Sequence, residues 1–254
     1  MPKHILTCCI ATIIFAAKTY CQDERIETDR PDQTEVASLV PVNYFQGEFG
    51  VGKVNTFDKD YQLIHPTALL KYGVSKNFEL RVEENYVSEY EQLIPKPRTT
   101  TGLEPLQIGF KAALFKGKKI IPKTSLITHF AIPVFATKQF KADHIAPSVV
   151  LVMQNEISKH IDVGYNLGAE WDGFSTAPEW VYTLSLGFDI SKNWAGYIET
   201  FGFAKNKEAA KTSFDGGLCY FVSNNVKLDA YAGVGISKHA DDSFYGVGIS
   251  FRFK

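Results

Sequence analysis

The sequence predicts an all-β fold: a transmembrane antiparallel β-barrel of about twelve strands, with both termini periplasmic. Three observations point there. After residue 40 the chain falls into segments of about ten residues with period-two alternation, the spacing of membrane-spanning strands. Short and long connections alternate regularly between those segments. A short apolar leader precedes them, as in an exported protein. Composition is silent on this point, because 22% charged and 45% hydrophobic residues are ordinary for a globular chain. A barrel strand puts apolar residues toward lipid and polar ones toward the lumen, so a mean hydropathy of −0.10 fits it as well as a soluble fold.

In chain order, residues 1–21 read as a signal peptide. Lys3 and His4 precede an apolar run over residues 5–17, and Lys18-Thr19-Tyr20-Cys21 leads into polar Gln22-Asp23-Glu24. The run is shorter than the ~20 apolar residues a membrane helix needs. Cleavage before Gln22 removes Cys8, Cys9 and Cys21 and leaves Cys219 alone, so the mature chain has no partner for an internal disulfide. Lipidation at Cys21 is the alternative, with bulky Tyr20 standing where a small residue is usual. Loss of Lys3 and Lys18 takes two positive charges from a chain whose net charge is −1, so there is no basic footprint for nucleic acid.

Residues 22–42 form a periplasmic N-terminal segment. Asp29-Arg30-Pro31-Asp32-Gln33-Thr34-Glu35 alternates charge around Pro31, which blocks regular strand pairing. Two readings stand level: a small plug folded into the barrel mouth, or a solvated linker.

Residues 43–254 are the barrel. The alternation is clearest at the C-terminus, where Tyr245, Val247, Ile249, Phe251 and Phe253 alternate with Gly246, Gly248, Ser250 and Arg252. Residues 226–236, 161–171 and 180–190 repeat the pattern. Trp171, Trp180, Trp194, Tyr220 and Tyr245 stand at strand ends, where amphipathic rings sit at headgroup level. Val74-Ser75-Lys76-Asn77, Ile157-Ser158-Lys159-His160, Ile190-Ser191-Lys192-Asn193 and Val222-Ser223-Asn224-Asn225 are near-copies of one tight turn, and Phe115-Lys116-Gly117-Lys118-Lys119 fills the equivalent slot. Polar loops are expected near 55–60, 88–103, 136–144, 172–178, 204–212 and 237–243. A soluble sandwich needs neither the short–long alternation nor a lipid-like face on nearly every strand. Two strands resist the pattern: Glu84 shares parity with Phe78, Leu80 and Val82, and Glu199 with Tyr197 and Phe201.

Parity places Glu48, Lys71, Arg81, Glu83, Lys111, His129, Glu170, Asp215, Asp229 and Arg252 on the lumen face. Such charges either line a polar path or pair and fill it. Lys71, Arg81 and Lys111 form a basic stripe facing acidic Glu170, Asp215 and Asp229, a transverse field that would orient a dipolar or anionic solute.

Residues 29–35, with Asp29, Arg30, Pro31, Thr34 and Glu35, run into Tyr44-Phe45-Gln46-Gly47-Glu48-Phe49-Gly50 and resemble the start of the transporter-like outer-membrane β-barrel family of the meta-pathway of phenol degradation. Leu69-Leu70-Lys71-Tyr72-Gly73-Val74-Ser75-Lys76-Asn77-Phe78-Glu79-Leu80-Arg81 is similar to that family's strand–turn–strand signature, with Lys71 where Arg is more usual; Gly109-Phe110-Lys111 is similar too. The terminal strand, with Gly248, Phe251 and Phe253, resembles the signal read by the barrel assembly machinery, although Lys254 follows the last aromatic. The resemblance implies a transport role and a place in the outer membrane of a Gram-negative-type bacterium, with lipid, the assembly machinery and a small-molecule substrate as partners. It does not carry the substrate over.

The function expected is passive or facilitated passage of small, aromatic or hydrophobic, molecules. A closed barrel that binds ligands through its outer loops, chiefly 87–102, is the alternative. An outer-membrane lipid hydrolase is the least supported reading. It would have to use His129 near Thr124 and Ser125, and no G-x-S-x-G, H-E-x-x-H or phosphate-loop pattern is present. The other histidines lack metal-ligand spacing, so no metal, cofactor or catalytic residue is expected. Substrate, an open or plugged lumen, gating and oligomeric state stay open at this level.

Overall fold

In a computed structural model, residues 25–56, 59–206 and 208–254 are described. The signal peptide expected over 1–21, and with it Cys21, lies outside them. Thirteen strands follow one another: β1 Phe45–Asn55, β2 Tyr61–Ser75, β3 Phe78–Glu91, β4 Arg98–Leu103, β5 Leu106–Lys118, β6 Ile121–Ile132, β7 Ala146–Ser158, β8 Ile161–Glu170, β9 Glu179–Asp189, β10 Trp194–Lys205, β11 Lys211–Ser223, β12 Val226–Gly235 and β13 Ser243–Phe253. All described pairings between strands are antiparallel. Neighbours in sequence are neighbours in the sheet except around β4. Pairing of β1 with β13 from Phe45↔Phe253 to Asn55↔Ser243 closes a twelve-strand barrel, which removes the open edges a flat sheet would leave.

The surface is inverted relative to a water-soluble domain. Leu167, Leu184, Val247 and Tyr245 are about half exposed, while Glu48, Arg81 and Lys111 are completely buried. Apolar residues outside and charged residues inside suit a barrel whose outer solvent is lipid. Trp180, Trp194, Tyr220 and Tyr245 lie on the outer face, and Trp171 is half-buried with its indole N–H donating to the Thr176 carbonyl at 3.1 Å.

Pro66 sits within β2 without breaking it. The register shifts between Ile64 and Thr67, so the missing N–H falls in a bulge and no ladder bond is lost there. The expected loop over 88–103 is a correction: β3 runs on to Glu91 and β4 folds back on it, Tyr86↔Leu103 to Glu91↔Arg98. β4 is therefore a thirteenth strand beside the wall. β3 pairs with β5 only from Phe78 to Glu83. Glu84 stays on the outward parity, half-buried beside this parting of the wall. Glu199 resolves the other way. Tyr197, Glu199 and Phe201 all turn inward and are buried, so β10 has an aromatic inner face.

Candidate functional site

Residues 25–44 carry one isolated bridge and none of the thirteen strands; they run along the inner wall of the barrel. The alternating charges around Pro31 explain this, because Asp29, Arg30 and Glu35 each meet a wall group of opposite charge. Bonds reach the segment from β1, β2, β3, β5, β6, β9, β10 and β12.

Asp29 is the centre. Its carboxylate takes Lys71 Nζ at 2.7 Å and Arg81 Nη1 at 2.9 Å on one oxygen, and Lys111 Nζ at 3.0 Å on the other. Burial alone would raise this carboxyl, but Lys111, Lys71 and Arg81 beside it hold it well below the usual carboxylate range. Lys71 also pairs with Glu48. Glu48 in turn accepts the backbone N–H of Asp29 at 3.3 Å and of Arg30 at 2.9 Å. Arg81 Nη2 straddles the Glu35 carboxylate, 3.0 Å from each oxygen, a charge-assisted contact. It also donates Nε to His129 Nε2 at 3.1 Å and contacts Glu79 at 3.3 Å.

Arg30 reaches Asp229 at 3.0 Å. It lies flat on the wall at Gly50 and Gly248, where an added Cβ would stand 2.2 Å and 2.4 Å from the guanidinium, so a side chain at either position would displace Arg30, and at Gly248 it would also meet the Phe49 carbonyl at 2.7 Å. Lys227 donates to the Thr28 hydroxyl and to the Arg30 carbonyl. Further on, Glu199 accepts the N–H of Gln33 at 2.7 Å and the hydroxyl of Thr34, which also lies 2.7 Å from the Thr183 hydroxyl. Burial, and next the Glu199 carboxylate, push the Asp32 carboxyl well above its usual range; Ser185 donates to it at 3.2 Å. The segment leaves past Lys111 Nζ on the Val36 carbonyl (2.8 Å), Ser125 on the Ala37 carbonyl (2.6 Å) and the Val40 N–H on Glu79 (2.6 Å).

Of the residues that parity placed on the lumen face, Glu48, Lys71, Arg81, Lys111, His129 and Asp229 lie in this network, and Asp29, Arg30, Thr34 and Glu35 are its counterparts on the segment. Pro31 is buried within it. Asp215 is buried beside Glu199, its register partner across β10 and β11, and accepts the Tyr197 hydroxyl at 2.9 Å. Glu83 and Glu170 are half-buried and outside the network. Arg252 is buried at the other end of β13, on the Asn225 side chain at 2.8 and 3.0 Å. The basic stripe of Lys71, Arg81 and Lys111 is matched by Asp29, Glu35, Glu48 and Glu79, so its charge is not spent across the lumen on Glu170, Asp215 and Asp229. Residues that sequence reasoning left out are Gln46, Glu79, Ser125, Glu199 and Lys227. Gln46, Glu79 and Lys227 alternate with apolar or glycine neighbours just as the selected residues do, so the same parity signal would have found them, whereas Ser125 follows polar Thr124 and Glu199 shares its face with aromatics. In the final strand, Gly248 backs Arg30 while Phe251 stacks on Phe49 at 5.7 Å and Phe253 on Phe45 at 5.9 Å, across the seam that closes the barrel.

A family model described as “Putative MetA-pathway of phenol degradation” matches residues 28–253. Among curated proteins, no sequence matches the chain. Among solved structures, an outer membrane channel from Pseudomonas putida F1 is similar at 11% identity, with 89% of this chain and 100% of that one covered and a TM-score of 0.67. The NanC porin is similar at 11% identity, with 81% and 98% covered and a TM-score of 0.56. The KdgM porin is similar at 10% identity, with 82% and 99% covered and a TM-score of 0.55. The shared feature is the fold, an outer-membrane β-barrel.

Proposed function

The chain belongs to the family matched over residues 28–253, and from that premise we propose that it is an outer-membrane channel for small molecules whose lumen residues 25–42 occupy as a plug. One observation carries the reading: the inner wall meets the middle of this segment through charge-assisted hydrogen bonds centred on Asp29, while apolar packing holds it at two flanking points, Ile26 on Cys219 and Phe221 and Ala37 on Ile127, Val150 and Val152. Burial of ion pairs contributes little net stability, because desolvation offsets the Coulombic gain. Water and ions entering the lumen compete for the same groups, so the segment is held in a way that can be released. The family description and the channel and porin folds support passage as the task, with small aromatic or hydrophobic molecules as the cargo. In this reading the tight turns and both termini face the periplasm, the assembly machinery reads the last strand, and the loops face outward.

No residue is assigned a catalytic role. Ser125 gives its hydroxyl to the Ala37 carbonyl and His129 accepts from Arg81, so the nucleophile and base of a hydrolase are committed elsewhere. A second reading, partner binding by the outer loops, has one observation behind it: the β3–β4 hairpin tip presents Ile94, 96% exposed.

The test is swelling of liposomes in arabinose with a Thr34→Cys/Thr183→Cys protein, whose native hydroxyls are in contact. Oxidation should lock the segment and stop swelling, and reductant should restore it. Swelling that ignores the lock would contradict the plug. No swelling in either state would contradict the channel.

A further inference from the structure

Two cavities open at the tight-turn end of the barrel, one on each side of the N-terminal segment, and their chemistry differs. The larger, about 780 Å³, sets lysines against Asp32, Asp162 and Asp189. The smaller, about 570 Å³, lies between residues 37–42, the turn from β2 to β3, and the ends of β1, β5, β6 and β13. It gathers Arg25, Lys76, Lys116, Lys123 and Arg252 against a single acid, Glu27; Arg25, Glu27, Lys116 and Lys123 border the larger cavity as well, and Lys76 and Arg252 belong to the smaller alone. Glu27 is already used, since Ser38 gives it its hydroxyl while Lys123 donates to Ser38 Oγ at 2.5 Å. Arg25 is held by Asp189 at 2.5 Å. Lys76 and Lys116 make no ion pair with any described residue and stand exposed at the rim. Below the cations Val40, Ala113 and Phe115 give the wall an apolar stretch beside polar Ser38, Gln46, Asn77 and Ser125.

We propose that this smaller vestibule binds small organic anions with an apolar body, such as an aromatic monocarboxylate. The carboxylate would sit among Lys76, Lys116 and Lys123, and the ring on Val40, Ala113 and Phe115. A cavity of this size falls in the range of small-molecule sites, where apolar lining supplies affinity and a few charged groups fix orientation. Several cations around one recess raise the local anion concentration. The inference deepens the channel reading by naming a solute class and a resting place beside the plug, and it rests on that reading only for its biological meaning. Binding at equilibrium needs no flux, so the two fail separately.

The experiment is calorimetric titration of benzoate, benzyl alcohol and inorganic phosphate into the purified protein folded in detergent micelles. Benzoate is expected to bind at least tenfold more tightly than either of the others. A Lys76→Gln/Lys116→Gln/Lys123→Gln protein should lose at least tenfold in benzoate affinity. Lys118→Gln/Lys119→Gln, which removes neighbouring charge from the other cavity only, should change it less than twofold. All five lysines are exposed, so the barrel should fold in each variant. Absence of benzoate binding, equal binding of phosphate or benzyl alcohol, or equal loss in the two lysine variants would each overturn the proposal.

Discussion

Asp29 is the acceptor on which three buried cations converge, and its removal should be felt in both stability and permeability. Breaking a buried pair by taking away one partner costs about 3–5 kcal/mol, because the remaining charge is left without compensation. Asp29→Asn should therefore lower the barrel's resistance to guanidinium in micelles by an amount of that order, and an unchanged midpoint would show that the cations find other partners. Arg81 relies on His129 for its Nε, so His129→Ala leaves a buried donor unpaired at a cost of about 1–3 kcal/mol, while His129→Gln should recover part of it; both are read from the same unfolding curves. A steric variant complements the electrostatic ones. Gly50→Leu keeps every charge but places a side chain where the Arg30 guanidinium lies, so arabinose-driven swelling should become faster than in the unaltered protein. At this scale the wall residues were legible from period-two parity, as with Lys71, Arg81 and Lys111. Their partners were not. Strand parity says which face a side chain occupies, but nothing in Asp29 to Glu35 says which of many inward charges each will meet.

The strands carry a sharper contrast between their two faces. In β9, Leu184 points outward and is half exposed, while Ser185 points inward to Asp32. Leu184→Arg should destabilise the folded barrel by about 2–4 kcal/mol in bilayers, the cost of a cation near the lipid midplane. Ser185→Ala should cost about 1 kcal/mol, one net hydrogen bond. Equal effects would contradict the assignment of faces. The tight turns were readable because Val-Ser-Lys-Asn and its copies mark the same backbone reversal each time, and β2 to β3, β7 to β8 and β11 to β12 reverse there. The β3–β4 hairpin was missed because its strands, Tyr86 to Glu91 and Arg98 to Leu103, lack a lipid-facing apolar row. The β-branched run Thr99-Thr100-Thr101 was the local signal available. Glu199 defeated parity because aromatic Tyr197 and Phe201 fill an inner face that was assumed polar.

For the whole molecule, closure of twelve strands through β1 and β13 makes a continuous wall, and in the plug reading residues 25–42 set whether the lumen conducts. The barrel was legible from pattern because lipid imposes one alternation on every strand. Occupancy of the lumen was not, because a plug and a solvated linker share one composition. The most direct test is single-channel conductance in planar bilayers of the protein with and without residues 25–42, barrel integrity being checked by heat-modifiable migration. The unaltered protein is expected to conduct weakly, and deletion to raise conductance at least severalfold with the barrel intact. Equal conductance from two correctly folded barrels would contradict it.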